Sequence, residues 1–209
     1  MSALFLHCRA GFEAECAAEI EDHAAAMGMT GRTGAAAGTA YVTFHAAAEA
    51  TLRLQREVPF SALIFARQWF AGATPLRDLP PGDRVGALVA ALAGASAGTA
   101  AALFLETPDT NDGKALSPLC RGLQRPLEAA LRAARLLDPE GAGHARAHVC
   151  LLSGTSAYAG WALSANGSPW PMGVPRLKFP RGAPSRSTLK LEEALWQFLG
   201  DRRDTLLLA

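Results

Sequence analysis

The chain has 209 residues, half of them apolar, and a formal charge of +1 at neutral pH. That is enough apolar material for one large or two small packed domains, and it excludes a disordered tail, a fibre, or a protein drawn to nucleic acid by its overall charge alone. No apolar run approaches a membrane span, and the start of the chain lacks the order of a secretory signal, so a cytoplasmic location with no membrane contact is expected.

Ala3–Cys8 is a short apolar run and predicts a buried strand. Phe12–Met27 predicts a helix with Phe12, Cys16, Ile20 and Ala24 on one face and Glu13, Glu21 and Asp22 outside. The glycine-rich stretch Gly28–Gly38 reads as a loop, Ala40–Phe44 as a strand, Ala46–Arg56 as a second amphipathic helix and Ala62–Phe70 as a third strand. This β-α-β-α-β order predicts a small α+β unit with helices on one face of a sheet. Three prolines in Thr74–Gly82 mark a boundary.

The second unit opens with a helix over Asp83–Ala93, for which Asp83 is the N-cap candidate. Ala100–Glu106 is a strand and Asp109–Gly113 a polar turn. Lys114–Leu137 is helical with an interruption at Pro126, placed in the first turn of a second helix. Ala147–Leu152 and Ala157–Leu163 are apolar strands joined by Ser153–Ser156, a hairpin. Asn166–Pro184 holds five prolines and three glycines and reads as a linker. Ser185 or Ser187 caps a last helix with Leu191, Ala194, Leu195, Phe198 and Leu199 on its apolar stripe. The final Thr205–Ala209 reads as the beginning of a buried strand, so a third domain is expected to start here and continue past Ala209.

Four scattered cysteines without a C-x-x-C pair fit reduced thiols, and no metal site is expected. His144 and His148 are four apart but lead into a strand, which defeats helical ligation. The glycine loops at Gly31–Gly38 and Gly94–Gly98 follow helices and open strands, the reverse of a nucleotide loop, and read as turns. Asp109–Lys114 has the composition of a calcium loop but not its spacing, and fits a helix cap better.

Five basic residues (Arg176, Lys178, Arg181, Arg186, Lys190) fall within Pro175–Lys190, and no Asp or Glu lies between Glu140 and Glu192. Such local charge fits a phosphate partner and fits a basic solvated linker equally well. Arg121, Arg125 and Arg132 recur on one side of the predicted helix, either an ordinary polar face or part of the same surface. The chain's 17 Arg against 3 Lys, with abundant Ala, reflects a GC-rich genome rather than affinity. Lys190 sits in a first helical turn, where the dipole disfavours a cation; it is a surface lysine or one held to polarise a hydroxyl.

Taken together, His7–Ile20, Pro59–Phe70, Asp109–Asn111, Met172–Phe179 and Ala183–Ala194 resemble, in order, the bacterial ribosomal large-subunit RNA ribose 2′-O-methyltransferase M family. Residues 28–58 and 86–105 resemble it only in pattern. The resemblance implies an α+β chain with a ferredoxin-like domain over 1–72, a THUMP domain over 73–165, a basic linker over 166–184 and, from 185 to 209, the first helix of a truncated Rossmann-like methyltransferase domain. It implies methyl transfer from S-adenosylmethionine to a cytidine 2′-hydroxyl of 23S ribosomal RNA. Lys190 matches the first lysine of the family's Lys-Asp-Lys-Glu tetrad, and Ser187 a serine beside the adenosylmethionine pocket; the remaining tetrad positions find no match. The expected RNA contacts are Arg67, Lys114, Arg121, Arg125, Arg176, Lys178 and Arg186. The expected partner is 23S RNA or an assembling large-subunit particle, met by a monomer that binds no cofactor itself. A stand-alone RNA-binding adaptor and a protein-assembly module are the competing readings.

Overall fold

The computed structural model of the protein describes residues 2–95, 98–138, 140, 143–177, 185 and 187–199. These group into two compact units, residues 1–173 and 174–209.

The first unit is built on one seven-stranded sheet. β1 (Ser2–His7), α1 (Glu13–Ala26), β2 (Arg32–Ala35), β3 (Tyr41–Ala46), α2 (Ala48–Glu57) and β4 (Gln68–Leu76) come first. They are followed by α3 (Arg84–Gly94), β5 (Ala100–Glu106), α4 (Asn111–Ala115), α5 (Ser117–Ala133), β6 (Ala145–Leu151) and β7 (Ala157–Leu163). The strand order is β2-β3-β1-β4-β7-β6-β5. The first four strands are antiparallel in ferredoxin-like order, and β5 runs parallel to β6, as the α5 crossover between them requires.

Period-two alternation sorts the side chains. Leu4, Leu6, Val42, Phe44, Trp69 and Ala71 point to the face covered by α1 and α2. Leu103, Val149, Ala159 and Trp161 continue that face under α3 and α5, which insert Leu88, Leu92, Leu127 and Leu131. Ala71 lies opposite Trp161 in the β4–β7 ladder, so the two clusters share one side of the sheet. The other side carries Phe5, Phe70, Cys150 and Ala162, with Phe5 and Phe70 stacked at 4.8 Å.

Four expectations need correction. Gly28–Gly38 is not all loop: Arg32–Ala35 is an edge strand, held by pairing to β3 although its Gly and Ala content carries no strand signal. The third strand begins at Gln68, not Ala62, because the amides of Ile64, Phe65 and Ala66 are taken by the Glu19 carboxylate and cannot enter a ladder. It then runs through Pro75 into the expected boundary. Past Ala73 its neighbour is β7 alone, an edge-like setting in which proline is tolerated. Gly72, at φ 65°, sits in the register shift between Ala71 and Thr74, a bulge that needs a residue free to adopt positive φ. The helical break falls at Leu116, with Pro118 in the first turn of α5, while Pro126 lies inside that helix. By contrast, β5 spans the expected residues, and Asp83 caps α3 by accepting from the Gly86 amide at 2.8 Å.

In the second unit, α6 (Ser187–Leu199) begins where the Ser187 amide donates to Ser185 Oγ at 2.9 Å. The expected terminal strand at 205–209 lies outside the described residues. No described helix is long and apolar enough to cross a membrane.

Candidate functional site

α5 is amphipathic in the way its sequence demands. Leu127 and Leu131 are buried, and Arg121, Arg125 and Arg132 face solvent on the opposite side. Lys114, at the end of α4, is exposed as well. The α4 N-terminus is capped by Thr110, whose hydroxyl accepts from the Gly113 amide at 3.0 Å, so the polar turn is a helix cap. Among the described residues, no carboxylate lies within ion-pair distance of Lys114, Arg121 or Arg125. The nearby Glu128 accepts instead from Gln124 Nε2 at 2.6 Å. The α5 cations are thus free for an external anion. Arg67 differs: it is half-buried and paired with Asp109 at 3.3 Å, so a phosphate would have to compete for it. The result is a run of exposed cations along α4 and α5.

The sequence reading missed a buried ionic cluster behind this surface. Glu106 ends β5 at 2 % exposure, His148 lies in mid-β6, and His7 ends β1. His148 Nδ1 donates to Glu106 Oε2 at 2.9 Å, and His7 Nε2 lies 3.5 Å from the same oxygen. The first is a hydrogen bond; the second is an electrostatic contact without hydrogen-bond alignment, since neither His7 nitrogen has a hydrogen-bond partner. Burial alone would raise the Glu106 carboxyl, but His148 and His7 outweigh it and hold the group far below the usual carboxylate range. Phe70 and Phe104 pack on the His148 ring, each 5.1 Å away.

Glu106 Oε1 accepts from the Met172 amide, which fastens residues 166–173 to the sheet. That segment was expected as the first part of a linker, yet its neighbours engage it at every other residue. Gln68 Nε2 donates to the Ser168 carbonyl at 2.8 Å, and Arg146 donates to the same carbonyl at 2.7 Å. Asn166 donates to the carbonyls of Gln55 and Val58 and accepts from the Phe60 amide. Met172 and Gly173 both adopt positive φ, and a Cβ on Gly173 would collide with the Arg67 carbonyl. A stretch dense in proline reads as loose, but proline-fixed backbone carbonyls are good acceptors for partners the local sequence does not reveal.

In the second unit, Arg176 is exposed, as are Ser187 and Lys190 in the first turn of α6. Lys178 and Arg186 lie outside the described residues. Among the described residues there is no cluster able to hold a metal ion. Nor does any described strand lead through a glycine-rich turn into a helix.

The fold defines a class: a ferredoxin-like α+β lobe sharing its sheet with a second α/β lobe. Comparison makes this specific. Residues 1–70 match the RlmM ferredoxin-like domain, and residues 83–163 match the N-terminal domain of ribosomal RNA large subunit methyltransferase M. Ribosomal RNA large subunit methyltransferase M from Cellvibrio japonicus is 48 % identical over 200 residues, covering 95 % of this chain and 56 % of that one. The enzyme of the same name from Shewanella amazonensis is 46 % identical over 201 residues, covering 95 % and 55 %. The chain belongs to the ribosomal RNA large subunit methyltransferase M family and spans about half the length of these relatives. Among solved structures, TrmN from Thermus thermophilus is similar at TM-score 0.47 and 20 % identity, over 80 % of this chain and 47 % of that one.

Proposed function

We propose that this chain is the RNA-recognition portion of an S-adenosylmethionine-dependent enzyme that methylates the ribose 2′-hydroxyl of a cytidine in 23S ribosomal RNA, and that alone it binds RNA without catalysing. The observation that carries the reading is the surface of α4 and α5, where Lys114, Arg121 and Arg125 stand exposed with no carboxylate partner among the described residues. The names of the relatives support the substrate class. Residues 1–72 then form the ferredoxin-like domain, 73–165 a THUMP domain and 166–184 the linker, and 185–209 open a Rossmann-like catalytic domain. Arg67, Arg176, Lys178 and Arg186 complete the RNA contacts. Ser187 lies towards the cofactor and Lys190 towards the reacting hydroxyl of the whole enzyme.

Fluorescence anisotropy with a structured RNA tests the first part. Each phosphate contact lowers log K by roughly 0.7–0.9 per decade of salt. A slope near zero, or no loss in Arg121→Glu/Arg125→Glu, would leave the protein-assembly reading in its place. Titration calorimetry with S-adenosylmethionine should give no saturable heat. In the full-length enzyme, Lys190→Ala should cut single-turnover methyl transfer by orders of magnitude while sparing RNA affinity, because a lysine beside a reacting hydroxyl acts in the transition state. Lys178→Ala should do the reverse. Equal modest losses in both would mean that Lys190 is only a surface charge.

A further inference from the structure

A second surface, on α1, has the opposite character. A groove of about 420 Å³ runs between α1 and the loop after the 3₁₀ turn Phe60–Ala62, lined by Ala18, Ala62, Ile64 and Phe65 and by Glu15, Glu19 and Asp22, with His23 at one end. Ile64 is 82 % exposed, the most exposed large apolar side chain among those described. Its loop is nevertheless fixed. The Glu19 carboxylate accepts from three consecutive amides, those of Ile64 at 2.5 Å, Phe65 at 3.2 Å and Ala66 at 3.3 Å. Phe65 stacks on Phe12 at 6.1 Å, and Arg9 lies over Phe12 at 5.7 Å. An aliphatic side chain held in water on a preorganised loop costs little further entropy when a partner covers it.

Charge chooses the partner. α1 carries Glu13, Glu15, Glu19, Glu21 and Asp22 and no Lys or Arg, and Glu15 and Asp22 are exposed at the groove. A polyanion is repelled here, so this is not a continuation of the α5 surface. We infer that the α1 groove docks a short basic segment of another protein, an aliphatic side chain packing on Ile64 and Phe65 while flanking Lys or Arg residues meet Glu15 and Asp22. The inference does not depend on the RNA reading.

The test uses the whole chain and two short fluorescein-labelled peptides of Lys, Arg and Gly, one with a central Leu and the other with Ser in its place, titrated by anisotropy at physiological salt. The Leu peptide should bind about tenfold more tightly, equivalent to about 1.4 kcal/mol. Ile64→Ser should abolish that preference, and Glu15→Lys/Asp22→Lys should abolish binding of both peptides. All three positions are exposed, so the Ile64→Ser melt should match the parent, and the charge-reversed variant should lose only the small helix-dipole contribution of Glu15. A labelled RNA hairpin should bind Ile64→Ser and the parent alike. Equal binding of the two peptides, insensitivity to Ile64→Ser, failure of both peptides to bind, or weaker RNA binding by Ile64→Ser would each overturn the inference; the last would assign the groove to RNA.

Discussion

Replacing Glu106 should change both the stability of the first unit and its response to acid. The carboxylate serves three partners at once, the His148 Nδ1–H, the His7 ring and the Met172 amide, and has no contact with solvent to fall back on. Glu106→Ala removes all three, leaves the buried His148 Nδ1–H and Met172 amide without an acceptor and opens a cavity, changes that together cost about 3–5 kcal/mol. For a chain of this size that is a fall in melting temperature of roughly 6–20 °C. Glu106→Gln retains an acceptor for Met172 and is relieved of burying a charge, so it should cost less, about 1–3 kcal/mol.

The acid limb discriminates further. Glu106 is held well below its ordinary value of 4.5, so the unfolded chain binds its proton first. The stability it contributes is complete above that value and is lost as pH falls towards the folded-state value, with a slope approaching about 1.4 kcal/mol per pH unit. Urea unfolding of parent and Glu106→Gln, followed by tryptophan fluorescence between neutral pH and pH 3, should show the two curves converging as pH falls below about 4.5. His7, His148 and Arg146 face the carboxylate, so the comparison is read from the difference between the two curves below about pH 4.5, where the Glu106 proton is taken up. Parallel curves across that range would refute an ionised Glu106.

Other changes test other parts of the fold. Leu127→Ala, at the centre of the α5 packing stripe, should cost about 2–5 kcal/mol in urea unfolding without altering peptide binding at α1. Asp83→Ala removes the α3 cap and should cost about 1 kcal/mol by the same measurement. Gly173→Ala meets both a positive φ and the Arg67 carbonyl, so it should release residues 166–173, seen as faster amide exchange at Met172. Glu19→Ala should leave α1 intact but speed exchange at Ile64, Phe65 and Ala66; unchanged rates would mean that the loop is held by its side chains alone.

Elements whose own side chains pay their way in burial were readable. β5, β6 and β7 declare themselves as apolar runs between turn residues, and Asp83 stands where a cap must. What escaped depends on partners distant in sequence. β2 is a strand only because β3 lies beside it. The run Leu63–Ala66 has the composition of a strand, but Glu19, far earlier in the chain, claims its amides. His7, Glu106 and His148 come from three strands separated by most of the chain; each looks unremarkable until folding brings their side chains together. The exposed cations of α5 were legible because helical spacing alone sorts them from Leu127 and Leu131. The pairing of Arg67 with Asp109 was not, because nothing local couples them.

The continuous sheet also sorts charge within the first unit. α1, rich in carboxylates, lies against β2 and β3 at one edge, and α5, whose arginines have no carboxylate partner among the described residues, lies against β5 at the other. β2 and β5 are the two edge strands of the sheet, with five strands between them in the ladder. A chain of net charge +1 would feel almost no net pull towards a polyanion, yet it would feel a torque. It should approach with α5 leading and α1 trailing, so that rotation in the field, rather than attraction, selects the encounters that succeed.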